Sequence, residues 1–336
     1  MNAFVRRWAA RLTALGDLWL EAPWPRRLTR IAVYATNRCN SRCLICGQWR
    51  AQPKIDLPAD VVLDVLRSPA LSPFATVEIE GGEFLLHPEA HRILEGLRGR
   101  RYTLVTNGLL DDELVTAVRA YRIPAVTVSL DGPPATYTRV RGVAGYDTVV
   151  RVIETLRGQT NLSVIYTFSP WNDLSDYEHV RDRCRAWGVP LGYNVYSDMA
   201  YFDTDAPPAP IPFDADSAGR PIANPYFALY NRWLAGEVTL PCLSIRSRVV
   251  VYPDGRVPLC QQLDVTLGNV LDRSLAAIWR DPRTVALQRA HTWCNGCWVS
   301  YHRPFDLRLV TALKRALPRP LVRRIVGDSI RDLRSS

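Results

Sequence analysis

Apolar and polar positions follow two distinct periods along most of this chain. Short runs rich in β-branched and aromatic residues fall at 31–36 (IAVYAT), 76–81 (TVEIEG), 101–107 (RYTLVTN), 125–131 (AVTVSLD), 162–169 (LSVIYTFS) and 190–197 (PLGYNVYS), a composition that predicts strands. Between them, apolar residues recur at helical spacing near 58–68, 88–99, 111–122, 146–158 and 174–187, with a further pattern near 224–236. Six β–α units in succession predict a parallel sheet with right-handed crossovers. Six strands are too few to close an eight-stranded barrel. The expected fold class is therefore α/β, a partial (β/α)6 TIM-like barrel with its chemistry at the C-terminal strand ends.

The flanks differ. Residues 3–20 predict an amphipathic helix, with Phe4, Trp8, Leu12, Leu15 and Trp19 three or four apart and Pro23 and Pro25 ending it. Residues 199–223, rich in Pro and Asp, predict a loop over the barrel mouth. From Cys242 the pattern changes to a small α+β unit. Val249–Tyr252 and Arg256–Leu259 predict a hairpin turning at Asp254-Gly255, and a short helix follows near 274–280. The expected domains are an N-terminal helix (1–30), the barrel (31–237), a small cysteine-bearing domain (238–302) and a basic helical tail (303–336).

Of the 336 residues, 47% are hydrophobic, enough for a substantial core. No apolar run of about 18 residues occurs, and Arg6, Arg7, Arg11 and Asp17 interrupt any signal-peptide core, so a cytoplasmic protein is expected. Eight cysteines in such a chain point to metal or redox chemistry rather than disulfides. The net charge of +9 sits at the ends: +4 in residues 1–30, +6 in 303–336, and −1 between. That excludes a basic nucleic-acid channel through the catalytic body and leaves the ends to attract acidic partners.

Cys39, Cys43 and Cys46 follow directly on the first strand. Three thiolates can hold a [4Fe–4S] cube and leave one iron open, whereas zinc wants four ligands and no fourth stands nearby. This C-x3-C-x2-C resembles the signature of radical S-adenosylmethionine (SAM) enzymes, with Ile45 where the family usually has an aromatic residue. The resemblance implies that the open iron chelates SAM and that reductive cleavage yields a 5′-deoxyadenosyl radical. Gly81-Gly82-Glu83 resembles the family's GGE motif, which receives the SAM amino group; Phe84 replaces the usual Pro. Asn107 and Ser129, at the ends of strands three and four, match family positions for SAM contacts.

Cys242, Cys260, Cys294 and Cys297 form a second, closed set of four. On donor chemistry alone it suits zinc or an iron–sulfur cluster. Gly268-Asn269-Val270, Ser274-Leu275 and Ile278-Trp279 resemble the segment linking auxiliary-cluster cysteines in SPASM and twitch domains. With no cysteine after Cys297, the resemblance is to the twitch form, an arrangement similar to the 2-deoxy-scyllo-inosamine dehydrogenase type. It implies two [4Fe–4S] clusters in all, and a flavodoxin or ferredoxin donor. Cys184 stands alone in a helical pattern and suits the core, and the five histidines show no metal spacing.

Strand alternation sends Val77 and Ile79 toward the helices and Glu78 and Glu80 into the barrel, as candidate catalytic carboxylates. The alternative for them is a buried Arg–carboxylate pair that only shapes the interior. Asn194, Tyr196 and Asp198 share one face of strand six by the same rule. The expected activity is of oxidoreductase type: hydrogen-atom abstraction followed by oxidation or rearrangement of a small polar metabolite, such as a sugar or cyclitol. The alternatives are maturation of a ribosomally made peptide, for which 30 residues before strand one leave no room for a leader-binding domain, modification of a lipid-linked substrate, and a non-catalytic electron carrier. The lipid alternative rests on the two basic amphipathic ends, which suit either a membrane surface or packing on the open barrel.

Overall fold

The computed structural model describes residues 27–197, 204, 225–318 and 320–321. The amphipathic segment 3–20, Asp198, the 199–223 segment apart from Thr204, and residues 322–336 lie outside the described residues.

The six predicted strands form: β1 (Leu28–Tyr34), β2 (Leu71–Glu80), β3 (Thr103–Thr106), β4 (Ala125–Ser129), β5 (Asn161–Phe168) and β6 (Leu191–Val195). They pair in parallel, and a seventh strand, β7 (Arg248–Val251), extends the sheet in the order β6-β5-β4-β3-β2-β1-β7. Helices α1 (Ala59–Leu66), α2 (Ala90–Gly96), α3 (Asp111–Tyr121), α4 (Pro134–Arg141), α5 (Tyr146–Leu156) and α6 (Leu174–Trp187) cover the outer face. Among the described residues, the C-terminal part holds α7 (Pro225–Leu234), β8 (Arg256–Pro258), β9 (Thr266–Asn269), α8 (Leu275–Arg280), α9 (Pro282–Ala290) and α10 (Arg303–Ala316).

The hairpin expectation needs correction. The turn is present, with Gly255 at φ +79° and its N–H on Tyr252 O at 2.9 Å. Its two arms part company, however. β7 joins β1 in parallel, Arg30 opposite Arg248 and Val33 opposite Val251, while β8 pairs antiparallel with β9. All four β7 residues are buried, the pattern of a strand covered on both faces rather than of a hairpin with one wet side. The second unit is thus stitched into the barrel's own sheet.

The pleat of β1 sorts two environments. Ile31, Val33 and Ala35 enter the main helix-side core. Ala32 and Tyr34 point inward and pack with Val250 and Tyr252, with Tyr301 against them. The segment from residue 303, expected as a basic amphipathic helix that packs on the barrel or meets a membrane surface, begins as the helix α10, with Phe305, Leu307, Ala312 and Leu313 packed in the interior. Among the described residues, no helix is long and apolar enough to cross a membrane.

Candidate active site

At the C-terminal strand ends lies a cavity of about 620 Å³, within the usual size range of ligand pockets. Cys39, Cys43, Cys46, Glu78, Glu80, Gly81, Gly82, Asn107 and Ser129 all line it, as do Asn194 and Tyr196. The second unit closes one side through Gln261 and Val299–Tyr301.

The cysteine loop is held from three directions. Thr36 Oγ1 and Arg38 Nε both donate to Asp56, at 2.6 and 2.9 Å. The N–H groups of Gly82 and Glu83 donate to Thr36 O and Arg38 O, each at 2.7 Å. From the far side, the end of α4 accepts the loop: Arg42 N–H on Arg141 O and Leu44 N–H on Val140 O, each at 2.9 Å. Two glycines make these approaches possible. A Cβ on Gly82 would sit 2.2 Å from Arg38 O, and one on Gly142, already at φ +68°, would sit 2.4 Å from Arg42 O. Gly82→Ala is therefore expected to push the cysteine loop away, to cost about 1–3 kcal/mol of stability and to lower iron retention at the first site. Iron analysis with thermal melts checks this, and an unchanged iron content would refute it.

Donors already surround the thiols. Asn107 Nδ2 reaches Cys39 Sγ at 3.8 Å, the Ser41 N–H donates to Cys39 Sγ at 3.4 Å, and Arg141 Nη1 reaches Cys43 Sγ at 3.7 Å. Burial pushes the Cys39 thiol up to about 11 and Cys46 up to about 12. These two thiols thus stay protonated near neutrality, and a metal must displace their protons on binding. Arg141, buried, also meets Asp131 Oδ2 at 2.5 Å. Burial opposes the guanidinium's charge, but Asp131 and Cys43 hold its pKa above the ordinary arginine value. A fixed cation beside a thiolate loop suits an anionic cluster and a SAM carboxylate.

Sequence reasoning missed α4 and Arg141. The signals were present: a Pro at the first helical position and Gly142 just past the end.

Glu83, expected as the SAM ammonium's partner, has other partners here. It is 1% exposed. Its carboxylate accepts from Thr106 Oγ1 at 2.9 and 3.0 Å and from Asn107 N at 2.8 Å. Burial raises its pKa, and these donors pull the other way. In this arrangement it struts the ends of β2 and β3, and positions Asn107 toward Cys39 and Asn40.

The two inward carboxylates separate in role. Arg30 Nε donates to Glu78 Oε2 at 2.9 Å and a second Arg30–Glu78 contact closes the pair, so Glu78 is charge-balanced. Among the described residues, Glu80 has no such cation to itself. Burial first, then the charge of Glu78, pushes it up to about 7, while a hydrogen bond from Tyr34 and the charge of Arg30 work against the rise. Gln261 Nε2 in turn donates to Tyr34 Oη at 3.1 Å. A hydrogen-bonded chain therefore links Glu80 in the barrel to the residue after Cys260.

The second cysteine set comes together in the C-terminal unit. Cys242 N–H donates to Thr292 O at 2.6 Å, beside Cys294, and Cys294 N–H to His291 O at 3.0 Å. Burial raises the thiols of Cys242, Cys260 and Cys297, the last to about 11. Smaller contributions come from one another: Cys297 acts on Cys242, Cys294 on Cys260, and both Cys260 and Cys294 on Cys297. Among the described residues, no three His, Cys, Asp or Glu side chains are gathered into a group that could hold a single metal ion. The donor sets nonetheless fit iron–sulfur binding: three thiols on a donor-rich loop facing a cavity, and, on two loops and a strand end, the buried thiols of Cys242, Cys260 and Cys297 with the half-buried Cys294.

Comparison with known proteins supports this chemistry. Residues 33–183 match the Radical SAM superfamily, and residues 242–298 match the SPASM iron–sulfur cluster-binding domain. A probable GTP 3′,8-cyclase from Methanococcus maripaludis is 25% identical over 142 residues, 40% of this chain and 47% of that protein. The chain spans about half the length of the curated relatives it matches. Among solved structures, Streptococcus suis SuiB bound to precursor peptide SuiA matches with a TM-score of 0.62 at 14% identity, over 78% of this chain and 67% of that one. Native anSMEcpe with bound AdoMet matches with a TM-score of 0.55 at 16% identity, over 88% of this chain and 99% of that one. These likenesses are of fold. The three-cysteine loop at the mouth of the parallel half-barrel and the four-cysteine unit that follows fall in these two matched stretches, so the chain carries a Radical SAM domain followed by a SPASM-type iron–sulfur cluster-binding domain.

Proposed function

We propose that this enzyme oxidises or rearranges a small polar metabolite by hydrogen-atom abstraction, with Glu80 moving the substrate's proton. With SAM and a [4Fe–4S] cluster at each cysteine set, reductive SAM cleavage would supply the abstracting radical and the auxiliary cluster would assist electron transfer. The observation that carries the reading is Glu80 itself: a carboxylate poised near neutrality, lining a cavity shared with the three-cysteine loop and bonded through Tyr34 to Gln261. Such a group accepts and returns a proton with little driving force either way. The cavity's other polar walls, including Thr127 and Ser163 (Oγ1 to Oγ 2.9 Å), suit hydroxyl-bearing ligands. In this reading Cys39, Cys43 and Cys46 hold the first cluster and Cys242, Cys260, Cys294 and Cys297 the second. Asn107, Ser129 and Arg141 border SAM, and Gly81 and Gly82 let it approach the backbone. A flavodoxin or ferredoxin serves as the electron donor in the cytoplasm. A second reading, modification of a ribosomally made peptide, draws on the fold shared with SuiB, which was solved bound to its precursor peptide.

Glu80→Gln tests the proposal. Turnover of substrate is expected to fall by about 10²–10⁴-fold, while SAM binding and slow 5′-deoxyadenosine release persist. Wild-type turnover should rise with pH through about 7 as Glu80 ionises. Stability should move the other way. At pH below the ordinary carboxylate range, Glu80 is neutral both folded and unfolded. Between that range and about 7 the unfolded chain ionises it first, so the folded state loses stability as pH rises. Glu80→Gln should flatten that stretch in urea melts taken from pH 4.5 to 8. A Gln variant with native turnover and an unchanged pH profile would sink the proton-transfer role.

A further inference from the structure

The first turn of α10 bears on the second cysteine set from beyond residue 298, where the SPASM match ends. Arg303 is 1% exposed and Asp306 fully buried. The Arg303 guanidinium donates to Cys297 O at 2.9 Å through Nε, to Cys294 O at 3.4 Å and Asn295 Oδ1 at 3.2 Å through Nη2, and to Leu240 O at 3.2 Å through Nη1. Pro241 O, also facing Nη1, stands at 3.5 Å. Asp306 takes the other side of Cys242: its Oδ1 accepts from Leu243 N at 2.8 Å and Ser244 N at 3.0 Å. The two side chains lie 3.6 Å apart. One ion pair thus grips the backbone before and after Cys242 and the carbonyls of both Cys294 and Cys297. The basic-tail expectation for residues 303–336 placed both side chains outside the cysteine domain; they lie at its centre.

We propose that Arg303, paired with Asp306, is the positioning residue of the auxiliary cysteine site, fixing three of its four ligands in place before iron arrives and setting a permanent positive charge beside them. A planar five-donor fork can bond several carbonyls on separate loops at once, which an ammonium on a flexible stem cannot reproduce. An iron–sulfur cube held by four thiolates is anionic and becomes more so on reduction, so the same guanidinium favours the reduced form. The proposal rests on the reading of the second set as a [4Fe–4S] site.

Iron content, chelation kinetics and redox titration of the reconstituted full chain decide the matter. The wild type is expected to hold about eight Fe. Arg303→Met combined with Asp306→Asn removes both charges together, so no unpaired ion is left buried. That double variant is expected to keep the wild-type circular-dichroism spectrum and SAM cleavage while falling to about four Fe. Arg303→Lys keeps the charge and loses the fork; it should assemble the second cluster, hold its potential, and lose it to a chelator several-fold faster than wild type. Any second cluster assembled in Arg303→Gln should show a more negative potential. Should the double variant fail to fold, the chelation rate of Arg303→Lys remains the deciding measurement. Full iron in the double variant, or a wild-type chelation rate in Arg303→Lys, overturns the proposal. A wild type with only half the expected iron would overturn the two-cluster reading, and this proposal with it.

Discussion

With Cys39, Cys43 and Cys46 all changed to alanine, the reconstituted protein is expected to hold about four iron atoms rather than about eight, and to release no 5′-deoxyadenosine. The loop should survive the change, because its anchors are mostly backbone. Arg42 and Leu44 still donate to the end of α4, Gly82 and Glu83 still donate to Thr36 and Arg38, and Asp56 still takes Thr36 and Arg38. Burial pushes the Cys39 and Cys46 thiols up, so removing those two also takes little charge from the folded apo-protein. The losses are confined to metal binding and to the Ser41 N–H, Asn107 and Arg141 donors that face sulfur. Iron analysis and product chromatography on the same sample give the answer. Retained SAM cleavage would overturn the assignment of the radical site, and complete loss of iron would show that the two cysteine sets do not assemble independently.

The parts of this molecule legible in the sequence are those set by local periodicity. Alternation of Val77 and Ile79 with Glu78 and Glu80 fixed which side chains enter the cavity, because a strand has only two faces and one of them was apolar. Helical spacing near 174–187 likewise predicted α6, which the structure closes with a capping box of Asp173 and Asp176 at one end and a left-handed Gly188 at the other. What stayed hidden depends on contacts distant along the chain. β7 has the same apolar run whether it turns back on β8 or lies against β1 more than two hundred residues earlier, and only burial on both faces distinguishes the two. The hydrogen bonds that Glu83 accepts from Thr106 and Asn107 of the next strand leave no trace in the GGE motif itself. Arg303 was counted as one more charge of a basic tail, since sequence cannot tell a solvated arginine from one whose donors meet the backbones of two cysteine loops.

Changing Cys294 and Cys297 together to alanine is expected to abolish product formation while 5′-deoxyadenosine is still released slowly. The barrel side of the cavity does not depend on these thiols: the three-cysteine loop, Glu83 and Arg141 are held within β1–β4 and α4. Radical initiation therefore persists. The opposite wall does depend on this region. Cys297 leads directly into Trp298, buried against Tyr226, Tyr230 and Trp233, and then into Val299–Tyr301, which line the cavity. Arg303 continues to bond the carbonyls of residues 294 and 297 after the thiols are gone, so the wall should keep its place and the variant should lose redox capacity more than shape. Two measurements separate those effects. Substrate affinity should change little, whereas deuterium from labelled substrate should still reach 5′-deoxyadenosine without product appearing. Product at the native rate would show that the second site only braces the cavity wall. Loss of substrate affinity in parallel with product would assign it the same bracing role, and would leave Glu80 to act without an electron acceptor beside it.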